Sequence, residues 1–113
     1  MITYTERLFS GTATASGDSY STPVNTKHVK ECIFFLDITV ASGTNPTLDV
    51  YIRVYDVLSG KWYLLATFSQ KSSVISDVGF VAYGLGEKLA ISYIVGGTNP
   101  SFTFAINATF KER

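Results

Sequence analysis

The sequence has only one cysteine and one histidine among its 113 residues. A single thiol cannot form an internal disulfide and does not provide the paired spacing of a zinc site. We therefore expect Cys32 to be a small buried hydrophobe. His28 precedes Cys32 by four residues, but the two straddle the start of a predicted strand, so we expect a surface histidine and no catalytic pair.

Charge is also scarce, with nine basic and nine acidic residues making up 16% of the chain. A neutral chain lacks the basic surface of proteins that bind nucleic acid or a membrane, so neither is an expected partner. No charged-then-apolar start resembles a signal peptide, and no apolar run approaches the length of a membrane span. The 46% hydrophobic share predicts a packed core rather than disorder.

Carboxylates and glycines form no recognisable reactive cluster. Asp37, Asp49 and Asp56 lie along predicted strand faces, without the convergence that a glycosidase or a calcium site requires. Gly84 and Gly86 lack the following helix of a phosphate-binding loop. The sequence therefore predicts no catalytic residue, no cofactor and no metal site, and a protein that is not an enzyme.

Two stretches of the sequence are similar to each other, and they are the clearest guide to the fold of the chain. Each consists of an alternating apolar run, then Gly-Thr-Asn-Pro at residues 43–46 or 97–100, then a second alternating run. Alternation with period two is typical of β-strands. Glycine permits positive φ, and proline fixes its own φ and favours an extended residue before it. We interpret the stretches as two similar β-hairpins whose loops lie at the same end of the fold. The loop-defining residues are Gly43, Pro46, Gly97 and Pro100.

The alternation elsewhere predicts an all-β domain over residues 1–113. No window has apolar residues at helical spacing behind a cap. The expected class is an antiparallel two-sheet β-sandwich of seven to nine strands, jelly-roll or immunoglobulin-like, with a β-barrel as the alternative. Residues 1–30 are expected to form an arm and weakly patterned strands. The strongest predicted strands are residues 32–40, 47–56, 62–68, 88–95 and 101–111, with a short one at 80–83 after a long connection over 70–79.

One predicted strand face has the composition of a binding surface. Tyr51, Arg53 and Tyr55 project away from the core face, and Tyr63 of the next strand could join them. Tyrosine and arginine are enriched at the energetic centres of interfaces. The face could equally be covered by another part of the same chain, and stacking on sugar rings is a third interpretation.

The loop motifs carry a resemblance to a known group of proteins. Residues 40–50 contain Gly-Thr-Asn-Pro-Thr-Leu, residues 62–70 contain the tryptophan, and residues 95–104 end in Gly-Gly-Thr-Asn-Pro-Ser-Phe-Thr-Phe. In this order they resemble small β-sandwich structural proteins from the head and tail gene clusters of tailed phages and prophages. The resemblance covers about residues 36–104 and does not extend to residues 1–30.

The resemblance implies a non-enzymatic virion protein, such as a capsid decoration protein or a head or tail accessory protein. It implies location in the virion after synthesis in the host cytoplasm, and it transfers no catalytic residues. Expected partners are identical subunits, as in a trimer, and the major capsid protein or another virion protein. Ile2 and Tyr4 of the predicted first edge strand are further interface candidates. The alternative function is a carbohydrate-binding β-sandwich module.

Overall fold

The computed structural model describes residues 3–83 and 85–112, with the backbone alone over 80–83. Seven strands account for most of these residues, and every pairing between them is antiparallel. In chain order they are β1 (Thr3–Ala13), β2 (Gly17–Asp18), β3 (Val24–Asn25), β4 (Val29–Asp56), β5 (Lys61–Thr67), β6 (Ile75–Tyr83) and β7 (Lys88–Glu112).

A long two-stranded ribbon of β4 and β7 forms the centre of the fold. The strands pair from Val29 opposite Glu112 to Val54 opposite Leu89. The 28 residues of β4 would span about 90 Å if straight. The longest dimension of the molecule is only 44 Å. The ribbon must therefore fold over on itself, and its register is interrupted where the two Gly-Thr-Asn-Pro loops meet.

Folding the ribbon over produces two packed layers. The first layer contains β1, the second half of β7, the first half of β4, and β6. The second contains β2 and β3, the first half of β7, the second half of β4, and β5. The predicted two-sheet antiparallel sandwich is confirmed. The barrel alternative is wrong, because β5 and β6 each pair only with β4 in the described part of the chain.

The core lies between the layers and takes alternate residues from each strand. In β4 and in the second half of β7 the buried side chains are mostly even-numbered, whereas in the first half of β7 they include the odd-numbered Leu89 and Ile91. Phe68, which follows β5, lies 3.2 Å from the position a Cβ atom would take at Gly79 of β6. The largest fully buried side chains are Phe34, Phe102, Phe104, Phe110, Leu36, Ile38, Leu48, Ile52, Leu85, Leu89, Ile91 and Ile106.

The two loops bend the chain as predicted, but they do not make hairpins. The strand before each loop pairs with the strand after the other loop, as in Ser42 opposite Ser101 and Thr47 opposite Gly96. Alternation specifies which face of a strand is buried and not which strand lies beside it. The prediction that the loops lie together is confirmed, since Thr44 pairs with Thr98.

The asparagines of the loops also differ from the prediction. Gly43 and Gly97 have positive φ, as expected. Asn45 and Asn99 were expected to be extended, but their φ values are 50° and 49°. This left-handed conformation is one that asparagine tolerates better than most residues.

Several predicted strand boundaries need correction. The segment over residues 1–30, expected to be an arm with weakly patterned strands, begins with a long strand that continues to Ala13 and pairs with β7 along its length. The connection predicted over 70–79 is shorter, because β6 already begins at Ile75. The predicted neighbouring strands over 47–56 and 62–68 pair with each other as a hairpin, with Asp56 opposite Lys61. His28 is exposed and Cys32 is buried, as predicted.

Candidate interaction surface

The second half of β4 presents alternate side chains to the core and to the outside. Val50 and Ile52 are buried, so Tyr51, Arg53 and Tyr55 project from the outer face of the second layer. All three are half-buried. The sequence predicted that they share a face, and the structure places them on one.

The neighbouring strand adds Trp62 to this face rather than Tyr63. Trp62 lies opposite Tyr55 in the β4–β5 register, and Tyr63 lies opposite Val54. Residues directly opposite each other in an antiparallel pair project to the same side. The predicted contribution of Tyr63 is therefore wrong in position. Tyr63 is half exposed, and its hydroxyl donates to Ser59 Oγ at 3.4 Å.

Tyr20 reaches the same face from the other edge of the layer. Its ring stacks on Trp62 with centroids 4.8 Å apart and planes inclined by 8°. Tyr20 lies between β2 and β3, which pair with β7, whereas Trp62 belongs to β5, which pairs with β4. The stacked pair therefore spans the two central strands, and the chain covers part of its own face.

Two cations are held among these rings. Lys88 Nζ lies 4.3 Å from the centroid of the Tyr55 ring and 6.0 Å from that of Trp62. The Arg53 guanidinium lies 5.4 Å from the centroid of Tyr51, and its Nε donates to Ser92 Oγ at 3.1 Å. Among the described residues, neither cation has a carboxylate within 4.0 Å. Cation–π contacts therefore position both charges without neutralising them.

We call this surface the aromatic face; it consists of Tyr20, Tyr51, Arg53, Tyr55, Trp62 and Lys88.

Exposed aliphatic side chains continue the aromatic face. Leu64 lies opposite Arg53 and Ile94 lies opposite Asp49, and each is 52% exposed. Asp18 and Asp49 lie at its margin, so the surface carries charge of both signs around an apolar centre. This composition is that of a protein interface, with aromatic residues and arginine surrounded by polar groups.

The other predicted interface candidates lie in the first layer. Tyr4 of β1 is half-buried and packs on Phe110, with ring centroids 5.5 Å apart. Partial burial and the charges of Glu112 and Glu6 raise the pKa of its hydroxyl. Tyr4 thus takes part in the edge of the core. Ile2 lies outside the described residues.

Sequence reasoning missed Tyr20, Trp62 and Lys88. Trp62 could have been found from the turn, because a loop at residues 57–60 places Lys61 opposite Asp56 and Trp62 opposite Tyr55. A one-residue difference in the turn exchanges the two faces of the strand. Nothing local to Tyr20 indicates its partner, since the contact depends on the packing of distant strands.

In the described residues no group of three or more histidine, cysteine, aspartate or glutamate side chains is placed so that it could hold a metal ion. Within the same residues no helix is long and apolar enough to cross a membrane.

Three solved structures share this fold. The PBSX exported protein XepA aligns with a TM-score of 0.66 and 10% identity, over 97% of this chain and 37% of its own. The SPBc2 prophage-derived protein YomS aligns with a TM-score of 0.55 and 10% identity, over 96% of this chain and 92% of its own. A chain in the structure of infectious bursal disease virus, Gx strain, aligns with a TM-score of 0.57 and 10% identity, over 96% of this chain and 31% of its own.

These likenesses show a common fold and no more, since the identity is low. The resemblance to phage and prophage proteins is thereby confirmed at the level of the fold. This chain spans well under half the length of XepA and of the viral chain. No protein-family model matches the sequence, and no curated protein matches it significantly.

Proposed function

We propose that this protein is a non-enzymatic structural component of a virion, located in the assembled particle and acting through protein–protein contacts. The observation that carries the proposal is the aromatic face. It joins Trp62 and Arg53, residue types that dominate binding energy at interfaces, to the half-exposed Leu64. The fold shared with a prophage-derived protein and with a viral chain supports the same role.

The finer role is a capsid decoration protein or a head or tail accessory protein. Such a protein contacts an existing lattice, so its binding surface should be preformed. The aromatic face meets this requirement, because Arg53 is held by Tyr51 and Ser92 and Trp62 is held by Tyr20. Side chains already fixed in place lose less conformational entropy on binding. The expected partner is the major capsid protein or another virion protein.

The geometry gives less support to carbohydrate binding. A sugar ring stacks on an exposed aromatic plane, but Tyr20 already lies nearly parallel on Trp62. Lys88 lies over the Tyr55 ring at 4.3 Å and occupies one side of it. Side chains of the same chain therefore already cover one side of each aromatic plane on which a sugar ring could stack.

The experiment measures association with particles assembled from the genome that encodes this chain but lacking the chain itself. Arg53→Glu should weaken binding at least about 30-fold, the effect of losing roughly 2 kcal/mol at an interface centre. Arg7→Glu is the matched control, because Arg7 also lies on a strand and also donates from Nε to a polar side chain, Asn107, at 3.0 Å.

Equal binding by the wild type and Arg53→Glu would contradict the assignment of the aromatic face. Absence of the wild-type chain from purified particles would contradict the virion role. Glycan binding that is lost in Tyr51→Ala would instead favour the carbohydrate-binding alternative.

A further inference from the structure

Strand β6 forms an edge of the first layer, and its regular part over residues 75–78 has few of the features that protect edge strands. In the described residues it pairs only with β4, which leaves the backbone groups of its other side without a strand partner. The other long edge strand, β1, carries Glu6 and Arg7 and an irregularity beside them. Charges and bulges of this kind discourage pairing with another chain.

The start of β6, with Val74 just before it, is mostly apolar, and Ser76 Oγ donates to the exposed Asp37 carboxylate at 2.8 Å. Val74 and Val78 are each 60% exposed and Ile75 is 44% exposed. The single carboxylate of this segment, Asp77, is paired with Lys71 Nζ at 2.5 Å. Exposed β-branched residues on an unpaired edge favour addition of another strand.

We propose that residues 74–78 pair antiparallel with the same residues of a second copy of this chain, with the two-fold axis at Ser76. In this register Val74 of each copy lies opposite Val78 of the other. Ser76 lies opposite its own equivalent, and Asp77 lies opposite Ile75. A two-fold contact uses the same patch on both copies, so the segment must be complementary to itself.

The neighbouring registers are less favourable. A shift by one residue brings the core side of one copy against the outer side of the other. Moving the axis to Asp77 places two like charges opposite each other, which destabilises a cross-strand pair. Moving it to Ile75 places Val78 opposite Ser72 and Val74 opposite Ser76, so neither valine faces another valine. Of these registers, only the one centred on Ser76 places each valine opposite a valine and keeps the two Asp77 carboxylates apart.

An irregularity in β6 limits the contact to this segment. The register with β4 shifts between Val78 and Val81, so the regular edge ends after Val78. The paired stretch is therefore short, and the dimer should be weak in dilute solution and favoured where copies are concentrated on a lattice. This surface is separate from the aromatic face, which belongs to the second layer.

Site-directed cross-linking tests the axis directly. The full chain with Ser76→Cys is treated at high protein concentration with a short bis-maleimide reagent and separated on a denaturing gel. Ser10→Cys is the matched control, since Ser10 is an exposed serine on the edge strand β1. The native Cys32 is only 2% exposed, so the wild type serves as a blank.

Ser76→Cys should give a dimer band, and Ser10→Cys should give little. Adding Val78→Lys to Ser76→Cys should lower the dimer fraction roughly tenfold, because both valine pairs are lost. Leu58→Lys is the control for the added charge, as Leu58 is 97% exposed in a turn away from β6.

Equal cross-linking of Ser76→Cys and Ser10→Cys, or no dimer from Ser76→Cys, would overturn the proposal, as would a purely trimeric mass in solution. The Val78→Lys variant also separates this inference from the proposed function. Its aromatic face is intact, so it should still bind particles if the virion role is correct.

Discussion

Gly43 and Gly97 adopt the same conformation, with φ of 110° and 107°, and each lies against the backbone of the other's loop. A Cβ atom at Gly43 would lie 2.7 Å from the Asn99 carbonyl oxygen, and one at Gly97 would lie 2.7 Å from that of Asn45. The two loops thus form a symmetric corner at which the β4–β7 ribbon folds over. This corner determines that the halves of the ribbon become two layers.

Alanine at either corner glycine should destabilise the protein strongly. Gly43→Ala and Gly97→Ala combine an unfavourable positive φ with a backbone clash, so we expect a loss of at least about 2 kcal/mol in the free energy of unfolding. Gly60→Ala is the control. The φ of Gly60 is also positive, at 68°, but a Cβ atom there would lie 3.7 Å from its nearest neighbour, the Tyr55 hydroxyl, which is an ordinary contact. That variant should lose about 1 kcal/mol. Urea unfolding measures all three, and equal losses would show that the close approach at the corner has no energetic weight.

Removing Tyr20 should change the environment of Trp62. Tyr20→Ala takes away the stacked ring, and we expect a loss of about 1 kcal/mol together with a red shift of the tryptophan emission. Trp62 is the sole tryptophan of the chain, so the fluorescence reports on this site alone.

Tyr51→Ala provides the control for that experiment, because Tyr51 shares the face but interacts with Arg53 instead. Its emission spectrum should match that of the wild type. An unchanged spectrum in Tyr20→Ala would contradict the stacked arrangement.

The hairpin after β4 should respond to acid through Asp56. Hydrogen bonds from Ser59 and from the Leu58 N–H lower the pKa of its carboxyl below the ordinary value of 3.8. A group whose pKa is lower in the folded state stabilises the protein above its unfolded pKa, and this contribution is lost as the pH falls through the folded pKa. Asp56→Asn should therefore be less stable than the wild type at neutral pH, with the difference vanishing in strong acid.

Thermal unfolding of both proteins as a function of pH measures this difference, and an NMR titration of Asp56 measures the pKa itself. A stability difference that stays constant into strong acid would show that the carboxylate charge does not contribute. The same would follow if Asp56 titrated at or above its ordinary value.

Alternation in the sequence predicted the strands of the ribbon but not which strands pair with each other. Alternation predicted that Tyr51, Arg53 and Tyr55 project away from the core, and glycine shortly before proline predicted the bends. A hairpin and a folded ribbon share the same alternation and the same bends. They differ in long-range partners, such as Val50 opposite Tyr93, which local periodicity does not specify.

The weakly predicted segments are those whose structure depends on distant strands. β6 begins with Ile75, Ser76 and Asp77, and Asp77 interrupts the core-facing side that Ile75 begins, so the alternation typical of a strand is weak there. The serine- and glycine-rich residues between β1 and β3 are positioned by β7, to which Ser19 is hydrogen-bonded. Part of the aromatic face was predictable, because Tyr51, Arg53 and Tyr55 alternate along one strand, whereas Tyr20 and Lys88 come from elsewhere.

The attachment of this early segment to β7 should depend on one buried hydroxyl. Ser19 Oγ accepts a hydrogen bond from the Ile91 N–H at 3.0 Å, and Ser19 N donates to the Ile91 carbonyl at 2.9 Å. Ser19 is 6% exposed and Ile91 is fully buried. Ser19→Ala leaves the Ile91 N–H without this acceptor where water does not replace it, so we expect a loss of roughly 1–3 kcal/mol.

Ser16→Ala is the matched control for Ser19→Ala. Ser16 Oγ accepts from the Val95 N–H at the same distance of 3.0 Å, but at an exposed position. Water can take over as acceptor there, so the loss should stay below about 0.5 kcal/mol. Chemical denaturation compares the two variants, and hydrogen exchange at Ile91 should accelerate in Ser19→Ala alone. Equal losses would mean that burial does not set the strength of this attachment, and that the early segment is held to β7 by its backbone pairing instead.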